Sequence, residues 1–257
     1  MLDTLIAFFV PAELELWSAL LLVALSFLAS ALTGAMGLGG GMLMLAVMAQ
    51  LLPTAVLIPV HGVVQVGSNL GRAVIMRRHI ARALVLPFLL GSVVGVALAS
   101  QLVVALPKPV LELVLGLFIL WSTWSAKLKP SRIAPRLFWL PGLVSSFATM
   151  FVGGTGPLVA AFLVPDPLTR HQVVATHAAF MTLQHGLKIG AFTALGFAFL
   201  PWLPLLVLMV ALGFLGTMVG NRFLDRLPEK TFAVIFKGVL TLLALNIVLA
   251  GSLGLIG

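Results

Sequence analysis

The sequence has no cysteine and very little charge. Lys, Arg, Asp and Glu together make up 9% of its 257 residues, and only seven residues are acidic. A soluble domain carries about 25% charged residues. Too few polar side chains exist here to cover a water-facing surface. Without cysteine there is no disulfide framework from which to infer a compartment, and no thiol nucleophile. No HExxH zinc motif occurs, and no Gly-Lys-Ser/Thr follows the glycine runs as it would in a P-loop. No Asp or Glu falls at the centre of an expected crossing, and Glu112 lies near the outer start of its segment. The intramembrane carboxylate that cation sites commonly use is therefore missing. A Thr155–His177 nucleophile pair would lack the carboxylate needed to orient its base.

What is present is apolar. Hydrophobic residues make up 61% of the chain, in continuous runs near the ~20 residues that span a bilayer. A β-barrel would show short alternating segments instead. Ten apolar segments are expected, at 15–34, 42–52, 54–76, 83–105, 109–126, 137–152, 156–165, 171–197, 202–222 and 231–251. The basic, proline-containing KLKPSRIAPR (127–136) reads as a linker. The fold class is all-α: a polytopic membrane protein with about eight to ten transmembrane segments. Residues 1–126 form a first membrane repeat, 127–136 a cytoplasmic linker and 137–257 a second membrane repeat. The N-terminal MLDTLIAFFV has no basic n-region and does not read as a cleaved signal.

The halves align. GGGML (39–43) meets GTGPL (154–158), and PVHGVVQVGSNLGR (59–72) meets ATHAAFMTLQHGLK (175–188). His61 then pairs with His177, Asn69 with His185 and Arg72 with Lys188. The net charge of +8 sits mostly in connectors, as the positive-inside rule requires of cytoplasmic loops. Residues 77–82, 127–136 and 221–230 are expected inside and both termini outside, so 54–76 and 171–197 run in opposite directions. The expected architecture is an inverted repeat with glycine-broken short helices. Trp17, Trp121, Trp124, Trp139 and Trp202 are expected at the membrane interfaces.

Segments 42–52 and 156–165 are too short to cross alone, and each follows a glycine-rich break. An irregular backbone is tolerated at membrane depth only where it is buried in protein or lines a cavity. Half-helices that begin there aim free N–H groups and a positive dipole end at an anion. Gly39, Gly40 and Gly41 would open one half-helix, and Gly154, Thr155 and Gly156 the other. Two polar stripes accompany them. His61, Gln65, Asn69 and Arg72 are spaced 4, 4 and 3 along one helical face. His177, Gln184 and Lys188 share a second face, with His185 beside it. The substrate-binding candidates are the six break residues with Gln65, Asn69, Arg72, Gln184, His185 and Lys188. The proton-coupling candidates are His61, His177 and His185, because histidine changes charge near neutral pH. Snorkelling of Arg72 and Lys188 to the interfaces is the competing reading.

The glycine motif GAMGLGGGMLML (34–45) with Pro53, the polar helix HGVVQVGSNLGR (61–72) and the second motif GGTGPL (153–158) resemble the TauE/SafE sulfite exporter family of membrane permeases, of the 4-toluene sulfonate uptake permease type. The resemblance covers roughly 15–250. Thr155 and Pro157 interrupt the second motif. The resemblance implies movement of small sulfur-containing anions such as sulfite, sulfonates or sulfoacetate.

The expected function is thus a secondary transporter for a small anion, working by alternating access, and not an enzyme. An anion channel and an intramembrane enzyme are the alternatives. The expected partners are a small anionic substrate and the lipid bilayer, with no nucleic acid, no cofactor and no metal. The oligomeric state is open, with a homodimer among the options. The expected location is the bacterial plasma (inner) membrane.

Overall fold

The computed structural model describes residues 7–36, 39–103, 106–124, 132–163, 167–222 and 229–256, with side chains of the last segment described from 236 onward. Linker residues 127–131 and connector residues 223–228 lie outside the described residues. Among those described there are ten α-helices of eight residues or more, and no strand. They are α1 (Leu16–Met36), α2 (Gly40–Leu51), α3 (Thr54–Ile75), α4 (Arg82–Val103), α5 (Lys108–Trp124), α6 (Trp139–Val152), α7 (Gly156–Leu163), α8 (Arg170–Ala194), α9 (Leu203–Asn221) and α10 (Glu229–Ile256). All ten starts and nine of the ten ends fall within three residues of the sequence-based segments.

Local chemistry explains several boundaries. Thr169 begins α8 with a capping box: its hydroxyl accepts from the Gln172 N–H at 3.3 Å, and the Gln172 side chain accepts from the Thr169 N–H at 3.0 Å. Pro53 ends the first half-helix and starts α3. Gly39 before α2 and Gly153 after α6 adopt φ of 110° and 72°, a region that side chains with a Cβ rarely enter.

Among the described residues four stretches are long and apolar enough to cross a membrane: Leu16–Met36, Arg82–Val103, Leu200–Asn221 and Phe236–Ile256, with mean hydropathy between 2.1 and 2.3. Their outward faces carry exposed leucines such as Leu28, Leu86 and Leu242. That surface suits lipid and would be untenable in water. The polar helices α3 and α8 lie at the centre. Trp17, Trp121, Trp124 and Trp139 are exposed, but Trp202 is only 3% exposed and packs with Leu205 and Leu206 in the core. The expectation of a lipid-facing interfacial ring therefore fails for Trp202, because its turn folds inward onto Leu205, Leu206 and the core around them.

The most extensive helix pairings are α1 with α9, α4 with α6, α5 with α10 and α3 with α8. Glycines allow the first two. A Cβ at Gly216 or Gly220 would meet the Phe27 or Ala31 carbonyl oxygen at 2.2 or 1.9 Å. A Cβ at Gly91 or Gly95 would meet those of Trp139 or Leu143 at 1.8 or 2.2 Å. Both pairs run parallel, with backbones in near contact. The other two run antiparallel. In α3 and α8, His61 lies against His185 and Met76 against Val174. In α5 and α10, Gly116 lies against Ala244 and Pro109 against Gly251.

Candidate functional site

The two glycine breaks and the two polar helices meet at one place. His61 on α3 reaches the first turn of α2, where its Nε2 lies 3.1 Å from the Gly41 carbonyl oxygen. His177 on α8 does the same to α7, with Nε2 3.0 Å from the Gly156 carbonyl oxygen. A carbonyl only accepts, so both Nε2 atoms carry the hydrogen. Each half-helix is thus held by the polar helix that follows it in sequence. The rings of His61 and His185 meet edge to face at 5.8 Å. The Nδ1 atoms of His61, His177 and His185 are buried and have no hydrogen-bond partner.

Between these elements lies a cavity of about 50 Å³. It is lined by Thr33, Gly39, Gly41, Met42, His61, Gln65, Asn69, Gly154, Gly156, Pro157, His177, Met181 and His185. Twelve of these thirteen residues form six pairs in the register that aligns the halves. The pairs are Gly39 with Gly154, Gly41 with Gly156, Met42 with Pro157, His61 with His177, Gln65 with Met181 and Asn69 with His185. Nine of the candidates from sequence therefore line one cavity. Asn69 donates to the Gln65 backbone oxygen at 2.7 Å and to its Oε1 at 3.1 Å. That amide stands close to the first half-helix, since a Cβ on Gly41 would meet Gln65 Oε1 at 2.9 Å.

Five candidates lie outside the lining. Gly40 packs against α1, where a Cβ would stand 1.7 Å from the Ala29 carbonyl oxygen. Thr155 and Gln184 belong to a buried network behind α7. The Thr155 hydroxyl lies 2.9 Å from Gln184 Oε1 and 3.2 Å from the Ser145 carbonyl oxygen. Gln184 Nε2 donates to the hydroxyls of Ser145 and Ser146 at 3.0 and 3.1 Å. Arg72 and Lys188, themselves a register pair, are both fully buried. Lys188 Nζ donates to the Gly153 carbonyl oxygen at 2.7 Å. The Nε and both Nη of Arg72 have no partner. Burial removes the snorkelling reading for both.

Sequence reasoning missed Thr33, Met42, Pro157 and Met181. The repeat register would have supplied Met181, as the counterpart of Gln65; Met42 and Pro157 are counterparts only of each other. Thr33 gives no such signal, being one of four hydroxyl side chains in otherwise apolar α1, bonded to Ala29 O. Among the described residues no three His, Cys, Asp or Glu side chains converge to hold a metal.

The arrangement offers an anion first-turn N–H groups, amides and two nearby cations. No curated protein and no solved structure matches the chain significantly. The family model described as Sulfite exporter TauE/SafE matches residues 22–247. By that match over most of its length, the chain belongs to the sulfite exporter TauE/SafE family.

Proposed function

We propose that this protein is a permease that carries a small sulfur-containing anion, such as sulfite or sulfoacetate, across the bacterial plasma membrane by alternating access. The observation that carries this reading is the cavity made of six residue pairs, one member from each half. Residues 1–126 and 137–257 are read as inverted repeats joined by a cytoplasmic linker at 127–136. The antiparallel α3–α8 and α5–α10 pairings support that relation, because a twofold axis in the membrane plane reverses each helix it exchanges. A cavity of about 50 Å³ has room for roughly three or four water-sized atoms. In this conformation it suits a compact oxyanion such as sulfite better than a longer organosulfonate. His61, His177 and His185 are the proton carriers in this reading, since each lines the cavity with one ring nitrogen unpartnered.

Purified protein titrated with sulfite should gain thermal stability that chloride at equal ionic strength does not give. At 100 times Kd the gain is about 2.7 kcal/mol. Asn69→Leu should remove the effect while leaving the unliganded melting temperature within a few degrees. In vesicles, an imposed pH gradient should drive sulfite uphill. A channel would only equilibrate it. Uptake that follows sodium and ignores the pH gradient would remove the histidines from the coupling role.

A further inference from the structure

The buried charges around the cavity do not balance, and this points to the charge of the ligand. Arg72 is fully buried with all three guanidinium nitrogens unpartnered. Lys188 is equally buried, and its single bond goes to a carbonyl, which carries no net charge. Arginine stays protonated in proteins, and a buried cation without a counter-ion is strongly disfavoured. Among the described residues no carboxylate answers either group. Helices α1–α4 and α6–α9 contain no Asp or Glu. Glu112 on α5 is engaged by Lys108 at 3.6 Å and by Thr54 at 3.1 Å. Glu13 and Glu15 are exposed. The remaining titratable groups in the cluster are His61, His177 and His185, and none can supply negative charge.

The two cations also bracket the cavity. Lys188 lies beside Gly62, where an added Cβ would meet its Cε at 3.1 Å. Arg72 lies ten residues further along the same helix, about 15 Å at 1.5 Å per residue. Its neighbour Ala73 packs on Ala178 and Ala179, just past His177. The cavity residues Gln65 and Asn69 fall between, and His61 adjoins Gly62.

We propose that the site selects divalent over monovalent oxyanions, with Arg72 and Lys188 together balancing two negative charges on the ligand. This rests on the anion-site reading above and adds the charge of the substrate to it. A dianion neutralises the cluster. A monoanion of the same shape leaves one buried cation uncompensated.

The test uses probe pairs of near-equal shape that differ by one charge: sulfate against methanesulfonate, and sulfite against methanesulfinate. Affinities are measured calorimetrically on the purified protein at one fixed pH and low ionic strength. The dianion of each pair should bind at least tenfold more tightly. Arg72→Gln and Lys188→Gln should each narrow that gap to threefold or less. Equal affinities within both pairs would overturn the charge proposal while leaving the anion site standing. An unchanged gap in both variants would overturn the assignment to Arg72 and Lys188. Failure of all four probes to bind would overturn the anion site itself. Where either variant fails to fold, the wild-type comparison decides alone.

Discussion

Thr155 provides the sharpest test of how the second half-helix is held. It sits immediately before α7, buried, with one hydroxyl hydrogen and two acceptors in reach, Gln184 Oε1 at 2.9 Å and Ser145 O at 3.2 Å. Thr155→Val keeps the shape and removes that hydrogen. One interhelical hydrogen bond within a membrane is worth about 0.6 kcal/mol on average and about 1.7 at most. Stranding Gln184 Oε1 in a buried site adds to the loss. The expected destabilisation is about 1–2 kcal/mol. Gln184→Met removes the same contact and the two bonds donated to Ser145 and Ser146, so about 2–4 kcal/mol is expected. The two variants share a single bond. Their double mutant should therefore fall short of additivity by about 1 kcal/mol. Reversible unfolding in mixed micelles measures all three. Because the network fixes α7 without touching the cavity, sulfite affinity should weaken only a few-fold. A Thr155→Val protein as stable as wild type, with additive effects in the double mutant, would refute the anchoring role.

Two further outcomes follow from the topology and the packing. The chain lacks native cysteine, so single cysteines at exposed His79, Arg136 and Arg222 should react with an impermeant thiol reagent only after permeabilisation, whereas one at Lys108 should react in intact cells; outside labelling at 136 would end the inverted arrangement. Ala73 and Ala178 pack together where α3 meets α8, so a disulfide between cysteines placed there should stop transport and its reduction should restore it, and transport that continues while oxidised would show that this seam does not move.

The helices were legible because hydropathy and glycine breaks are local signals. The starts of α2 and α7 follow directly from GLGGG and GGTG, and the polar face of α3 from the 4, 4, 3 spacing. The division of labour among the break residues was not legible. Gly40 and Thr155 occupy one register position, yet Gly40 is small to admit Ala29 O while Thr155 hydrogen-bonds behind its half-helix. Spacing places both on a helix start and says nothing of which neighbour lies behind. The same limit applies to Gln184 and His185. They are adjacent in sequence, but Gln184 turns to Ser145 and Ser146 and His185 to the cavity. Trp202 looked interfacial from its position among apolar residues, and only the inward fold of its turn buries it.

Alternating access needs two bodies and a seam, and the packing suggests where they divide. In one group α1 lies on α9, α9 on α3, and α2 against α1 and α3. In the other α4 lies on α6 and α8, and α7 against α6 and α8. Each group therefore takes three helices from one half and borrows a fourth, α9 or α4, from the other. Within each group the contacts are glycine-mediated backbone approaches or tight aromatic packing, such as Phe88 of α4 stacked on Phe180 of α8 at 3.9 Å. Close-packed contacts of this kind resist sliding. The α3–α8 boundary is different. Its packing is extensive, but it carries buried histidines with free Nδ1 atoms, an unpartnered Arg72 and the cavity, so few hydrogen bonds would be lost if the groups shifted there. Under alternating access, His61 would move with the half-helix it holds, and His177 with the other. A ligand gripped by both half-helix starts would then be passed between two faces of the same seam, while the bonds from His61 to Gly41 and from His177 to Gly156 stay intact on either side.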